Sequence, residues 1–389
     1  MRYKRISEIA DVQTGPFGSQ LHKEDYVSVG TPIVTVEHLG NRIFTEQNLP
    51  QVSDSDKERL SKYILKEGDI VFSRVGSVDR CSYVDKDHDG WMFSGRCLRV
   101  RPHDIVDPLF LYYFFCLEKT KEHVRNIAVG ATMPSINTKL LGEIEVALPR
   151  FEAQQKIVVI LSALDDKIEL NQKINDNLQQ QAFEVFDNLL SSDHHDECCL
   201  SAIAKLNPKR VLTKNEPARC IDMAQLSTSG SFPNGWEIKP YNGGMRFSNG
   251  DTLLARITPC LENGKTAYID FLDEGEVAFG STEYVVIASQ GEYPPEFFYC
   301  LARYPAFVDY AVKNMNGSSG RQRVSAETIG NYVLPVLTNN ELSEFRSTVP
   351  YLFKTIKNNS IENMSLAQLR DTLLPKLMSG EIDMTTIRI

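Results

Sequence analysis

The residues of this 389-residue chain with types and spacing suited to chemistry are basic, and they gather in loops. Arg321 and Arg323 close the run Lys313 to Arg323 (KNMNGSSGRQR), which holds no acidic residue. Lys205, Lys209, Arg210, Lys214 and Arg219 crowd the start of the second half, while Arg125 and Lys139 flank the Gly130 loop in the first. Arg74 and Arg256 occupy matched positions at the ends of two strand-like runs. Guanidinium and ammonium groups neutralise phosphates, and an Arg can also read guanine through a bidentate contact. DNA contact is therefore expected at Arg321, Arg323, Lys209, Arg210, Arg125 and Lys139. At Arg74 and Arg256 an internal ion pair accounts for the charge as well as a phosphate does. The net charge of −9 argues against indiscriminate coating of nucleic acid but leaves room for a local basic groove.

Signatures of a self-contained enzyme are missing. The sequence has no GxxxxGK[ST] phosphate loop, no GxGxxG after a strand, no HExxH and no GxSxG. It also lacks the Asn/Asp-Pro-Pro-aromatic tetrapeptide that grips an exocyclic amino group in amino-methyltransferases. His194, His195, Cys198 and Cys199 form one compact set of metal-ligand types. Adjacent ligands converge poorly on one tetrahedral ion and no second pair stands nearby, so a solvated joint is expected there rather than a metal. Catalytic residues, metal and cofactor are all expected to be absent. The eight cysteines show no CxxC spacing and suit reduced thiols of a cytoplasmic protein. No run of eighteen apolar residues occurs and the start, MRYKRISEIADV, lacks the apolar core of a signal peptide, so no membrane association is expected.

The elements that must position these loops are two long helices. From Leu148 to Leu190 apolar residues recur at steps of three and four, giving one stripe: Ile157, Leu161, Leu164, Ile168, Leu178, Val185 and Leu189. At an offset of 188 the stripe returns as Phe345, Val349, Leu352, Ile356, Leu366, Leu373 and Leu377. Asn171 and Asn175 return as Asn359 and Asn363. Each stripe needs a partner, and an antiparallel two-helix coiled coil satisfies both. Asn171 and Asn359, mid-helix, are expected to meet near an approximate two-fold axis as a buried polar pair that fixes register. About forty residues at ~1.5 Å rise make a rod near 60 Å.

The globular stretches repeat as well. Gly250 to Arg256 echoes Gly68 to Arg74, Pro295 to Tyr299 echoes Pro108 to Tyr112, and Val324 to Gly330 echoes Ile136 to Gly142. Within the first half, strands are expected at Thr31–Val36, after the Gly68 turn, at Cys97–Val100 and at Ile144–Leu148. A single helix is expected from Asp107-Pro108 to about Val124. The fold class is thus mixed α/β: two globular α/β domains, 1–148 and 192–335, separated by helices at 149–191 and 336–380, with a tail at 381–389.

This layout resembles the specificity subunits of type I restriction-modification systems. The resemblance rests on the duplicated domain-plus-helix plan, on the segment Gly130 to Gln155 ending LPRFEAQQKI, and on the close Leu369 to Ile382 (LRDTLLPKLMSGEI). Gln154-Gln155 stands where Glu-Gln is commoner, and Leu334-Pro335-Val336-Leu337 lacks the usual double proline. The resemblance implies two target-recognition domains that each read one part of a bipartite, gapped double-stranded DNA target. It implies paired helices that space them and dock two modification (methyltransferase) subunits. S-adenosylmethionine would then belong to those partners, and cleavage with translocation to restriction subunits. On the residues alone, a coiled-coil protein–protein adaptor that binds no DNA stays open, as does an enzyme with an unrecognised site.

Overall fold

The computed structural model describes residues 2–192, 195–318 and 320–384. His194 of the His-Cys joint and the end of the tail beyond Met384 lie outside the described residues. The chain divides into two compact units, Met1–Leu164 with Leu369–Ile389, and Asp165–Gln368. Each is built on the same plan.

In the first unit a four-stranded antiparallel sheet runs in the spatial order Ala10–Thr14, Cys97–Pro102, Ile70–Ser73, Cys81–Tyr83. A second four-stranded sheet, Tyr26–Val27, Gln51–Val52, Thr31–Val34 and Met92–Phe93, contains one parallel pair. Arg2–Arg5 pairs antiparallel with Glu145–Leu148, bringing the chain start beside the strand that leads into the long helix. The second unit repeats all three: Ala204–Leu206, Tyr284–Ser289, Asp251–Ala255, Thr266–Tyr268; then a sheet around the parallel pair Pro217–Ile221 and Ala278–Gly280; then Glu197–Cys199 with Val333–Pro335.

The matched Gly-Asp turns show why the repeat was visible. Gly68 and Gly250 have φ of 89° and 86°, a region that favours glycine. Their amides donate to Val84 and Ile269 carbonyls across the hairpin. Asp69 and Asp251 are buried and accept the N–H of Lys66 and Ser248, both at 2.8 Å, closing the turn. A Cβ on Gly68 would press on the ring of Pro108, and one on Gly250 would touch that of Pro295; each proline is the first residue of the helix that packs behind the sheet.

That helix differs from the expectation of one continuous element to Val124. It ends at Cys116, and a second runs Glu118–Ile127. Leu117, at φ −58° and ψ 130°, makes the break. The first helix is buried nearly all round, through Phe110, Leu111, Tyr112, Tyr113 and Phe115, whereas the second buries only Thr120 and Val124. A turn between them lets a core helix give way to a surface one. In the second unit Pro305 enforces the same break, since a residue before proline is held extended and Tyr304 is.

The two long helices run Phe151–Leu190 and Asn339–Ser379. In the second unit Asn171 donates to Asn363 at 2.9 Å and Asn359 to Asn175 at 2.8 Å. This antiparallel register corrects the expected Asn171–Asn359 pair. Repeat equivalence places residues on the same face, but a two-fold axis brings together only the residues lying on it. The two observed pairs set that axis at Lys173 opposite Ile361, themselves equivalent at the 188 offset. Each Asn therefore faces the equivalent of its neighbour one turn along. Asn171 is 1% exposed and also donates to Glu362, at 2.7 Å. Asn175→Leu alone should lower stability by about 1 kcal/mol by removing the acceptor of the half-buried Asn359, whereas Asn175→Leu with Asn359→Leu should recover most of it. Denaturant midpoints of the two variants check this.

Of the expected stripe, Ile157, Leu161, Leu189, Phe345, Val349, Ile356 and Leu377 are buried, while Leu164, Ile168, Leu178, Val185, Leu352, Leu366 and Leu373 are half-buried. Ala182, Phe186, Phe353, Leu374 and Met378 are buried though absent from that stripe. These face the globular cores rather than only the other helix. Phe186 meets Phe297 and Phe345 at ring-centroid distances of 5.0 and 6.5 Å, and Phe353 meets Tyr268 and Tyr299, both at 5.4 Å. Polar contacts add to this seating. The Gln154 side chain accepts the N–H of Asp107 and donates to the Pro149 carbonyl in the first unit. In the second, Gln179 accepts from Tyr299 and Ser231 and donates to the Ser229 carbonyl.

Candidate nucleic-acid interface

The strand-end arginines organise the loops in both units through one backbone pattern. The Arg74 N–H donates to the Arg96 carbonyl at 2.8 Å, and its own carbonyl accepts the N–H of Ile136 at 2.9 Å. The Arg256 N–H donates to the Glu283 carbonyl, and its carbonyl accepts the N–H of Val324, both at 3.0 Å. Bridges Val75–Ser135 and Ile257–Arg323 continue the match, as do Val129–Ser135 and Asn316–Arg323. The same scaffold thus sets Arg96 and Ser135 in one unit where Glu283 and Arg323 stand in the other.

Side chains diverge from there. In the second unit Arg323 is bidentate on Glu283, with Nε at 2.9–3.0 Å and Nη2 at 2.7 Å. The Arg323 guanidinium holds the Glu283 carboxyl below its ordinary range, and Arg256 adds a longer-range attraction. Both members remain partly exposed, which makes a preorganised donor–acceptor pair at the surface. The Arg256 Nε is buried without a hydrogen-bond partner among the described residues, so the electrostatic association with Glu283 is what this side chain shows. Arg321 is exposed and its side chain has no partner among the described residues.

Arg210 is placed differently from the expected DNA contact. Its Nη2 lies 2.6 Å from both carboxylate oxygens of Asp251, inside the Gly-Asp turn. In the first unit Arg101 plays that part for Asp69, with two contacts of 2.7 Å. The two arginines come from different places, a sheet strand and a loop, to neutralise the same buried carboxylate. Arg210 therefore belongs to the frame in this structure. Lys209 beside it is exposed, as is Lys139. Arg125 is exposed and ion-paired at 2.5 Å to both Asp79 and Glu118, which reduces the charge it offers to a phosphate.

Two residues at the Arg74 loops were not picked out from the sequence. Phe17 is 60% exposed, with the Arg74 guanidinium 5.7 Å from its ring centroid. Arg96 is exposed, and among the described residues neither Arg74 nor Arg96 has a carboxylate partner. An aromatic residue in a Gly-Pro loop reads as core on composition alone; only exposure distinguishes it. No group of His, Cys, Asp and Glu among the described residues is placed to hold a metal ion.

The fold and these loops define a class: a tandemly duplicated α/β protein whose two units set unlike side chains on one framework. Residues 1–180 match the family described as the type I restriction modification DNA specificity domain. The chain is 25% identical to the type I restriction enzyme HindI specificity subunit of Haemophilus influenzae, over 83% of this chain and 88% of that one. It is 24% identical to the MjaIX specificity subunit of Methanocaldococcus jannaschii, over 97% and 93%. Among solved structures, a type I restriction-modification S subunit from M. genitalium shares the fold, with a TM-score of 0.60 at 17% identity, covering 97% of this chain and 95% of that one. Over residues 1–180 by family description, and over most of its length by these relatives, the chain is similar to type I restriction-modification specificity subunits.

Proposed function

We propose that the chain reads a bipartite, gapped double-stranded DNA target, one part per unit, as a non-catalytic cytoplasmic subunit. The paired helices would space the parts and dock two modification subunits, through which restriction subunits join. Methyl transfer from S-adenosylmethionine would belong to the modification subunits. One observation carries this reading: a single backbone framework presents Arg74 and Arg96 in one unit and Arg256, Glu283 and Arg323 in the other. A duplicated scaffold with unlike polar side chains at equivalent surface points suits two different base sequences. Arg and Glu at adjacent points match guanine acceptors and the cytosine amino group. No helix among the described residues is long and apolar enough to cross a membrane.

The test is to assemble the chain with its modification subunits, map the methylated motif on genomic DNA, and measure binding to that duplex. A gapped adenine motif is the expected outcome. Assembly without duplex binding would favour a coiled-coil adaptor instead. Within the second unit, Arg321→Ala and Lys209→Ala should each weaken binding across all sequences and flatten the salt dependence by about one counterion. Arg323→Ala should instead relax discrimination at one or two base pairs, worth about 1–3 kcal/mol per mismatch.

A further inference from the structure

We propose that Phe17 reads the 5-methyl group of a thymine in the part of the target assigned to the first unit, with Arg74 reading the neighbouring base. This rests on the DNA-reading function proposed above.

The loop carrying Phe17 is built rather than loose. Gly15 and Pro16 are buried, and the Gly15 N–H donates to the Cys97 carbonyl at 3.2 Å. A Cβ on Gly15 would fall 2.2 Å from the Ser94 carbonyl oxygen, and one on Gly95 would fall 2.3 Å from the Pro16 carbonyl oxygen and 2.8 Å from the Phe17 Cβ. Two glycines thus let the 15–18 and 93–95 backbones lie against each other, and Gly18, at φ 62°, turns the chain away. The product of this close fit is a phenyl ring directed outward at 60% exposure.

Single exposed apolar residues are ordinary on protein surfaces. What sets this one apart is its company. The Arg74 guanidinium lies over the ring and is anchored by one hydrogen bond, Nη1 to the Gly95 carbonyl at 3.1 Å. Its remaining donors have no protein partner among the described residues. Gly76 donates to the Pro134 carbonyl, so the Gly130 loop with its exposed Met133 borders the same cluster. With a guanidinium associated with the ring, Phe17 is poorly set for full intercalation, which needs both faces free. An apolar surface beside free guanidinium donors fits instead a major-groove step, where the thymine methyl is the apolar feature and purine N7 and guanine O6 are acceptors.

The experiment uses the assembled complex with modification subunits and the mapped target. Each thymine of the first half-site, on both strands, is replaced singly by deoxyuridine, which removes only the methyl. At one position the wild-type complex should bind about fourfold more weakly, the loss expected for one buried methyl. The Phe17→Ala complex should lose nothing further at that position while keeping the wild-type response to changes in the second half-site. A wild-type complex that binds the duplex but tolerates every deoxyuridine overturns the assignment and leaves the DNA-reading function standing. So does a first half-site without an A·T pair. A wild-type complex that fails to bind its duplex at all overturns the wider reading. Phe17→Leu, which keeps an apolar side chain in the loop, carries the same comparison should Phe17→Ala fold poorly: a reduced deoxyuridine response at that one position supports the assignment, and the full fourfold response in either folded variant overturns it.

Discussion

Arg210→Ala should destabilise the second unit by about 3–5 kcal/mol, the loss that follows when one partner of a buried ion pair is removed. Asp251 is 2% exposed, and Arg210 is the cation facing it. Burial pushes the Asp251 carboxyl up from its ordinary range, against the opposing pull of the Ser248 N–H and of Arg210. Without the guanidinium that upward shift should grow. A carboxyl with a raised folded-state pKa favours the fold when protonated, and that contribution is lost as pH rises through the carboxylate range. The deficit of Arg210→Ala should therefore be larger at pH 8 than at pH 5, as read from denaturant midpoints at the two values. Arg210→Met combined with Asp251→Asn should recover most of the loss, since the amide oxygen still accepts from Ser248 and no charge stays buried. Arg101→Ala should likewise lower the stability of the first unit, where Asp69 is 1% exposed. Wild-type stability in Arg210→Ala together with weakened DNA binding would return Arg210 to the interface.

The contrast between Arg210 and its neighbour Lys209 marks where legibility in sequence stops. Helical periodicity, the 188 offset and the Gly-Asp turns are local or self-similar signals, and each corresponds to an element of the fold. Arginine partners are not local. Arg210 finds Asp251, Arg323 finds Glu283 and Arg125 finds Asp79 across 41, 40 and 46 residues. Nothing in the spacing of the basic residues separated those committed to carboxylates from those left at the surface. Sheet pairing made that choice, by carrying distant strand ends together. The helix stripe was incomplete for the same reason: Phe186 and Phe353 are buried beyond it because a third surface, the globular core, packs there. The Asn register failed for a different reason, since repeat equivalence and physical facing are distinct relations under a two-fold axis.

That axis makes the spacer proposal testable in a form a simple length argument would miss. Seven residues inserted after Lys173 and seven after Ile361 should preserve every facing pair on both sides, because each insertion displaces the two halves of the coil equally. Seven residues also nearly conserve helical phase, drifting by only about 20°. Each helix would lengthen by about 10 Å at ~1.5 Å per residue, so the tolerated gap between half-sites should grow by about three base pairs of ~3.4 Å each. Discrimination within each half-site should be unchanged. Insertion into one helix alone should behave quite differently. It would bring Asn171 opposite a residue other than Asn363, or Asn175 opposite one other than Asn359, breaking a pair that includes the buried Asn171 in the first case and two half-buried amides in the second, at a cost of about 1 kcal/mol or more per broken pair. Methylation profiling of assembled complexes carrying the matched and single insertions reads both results. A gap unchanged by the matched pair would remove the helices from any role in spacing. A single insertion as stable as the parent would remove the asparagines from any role in register.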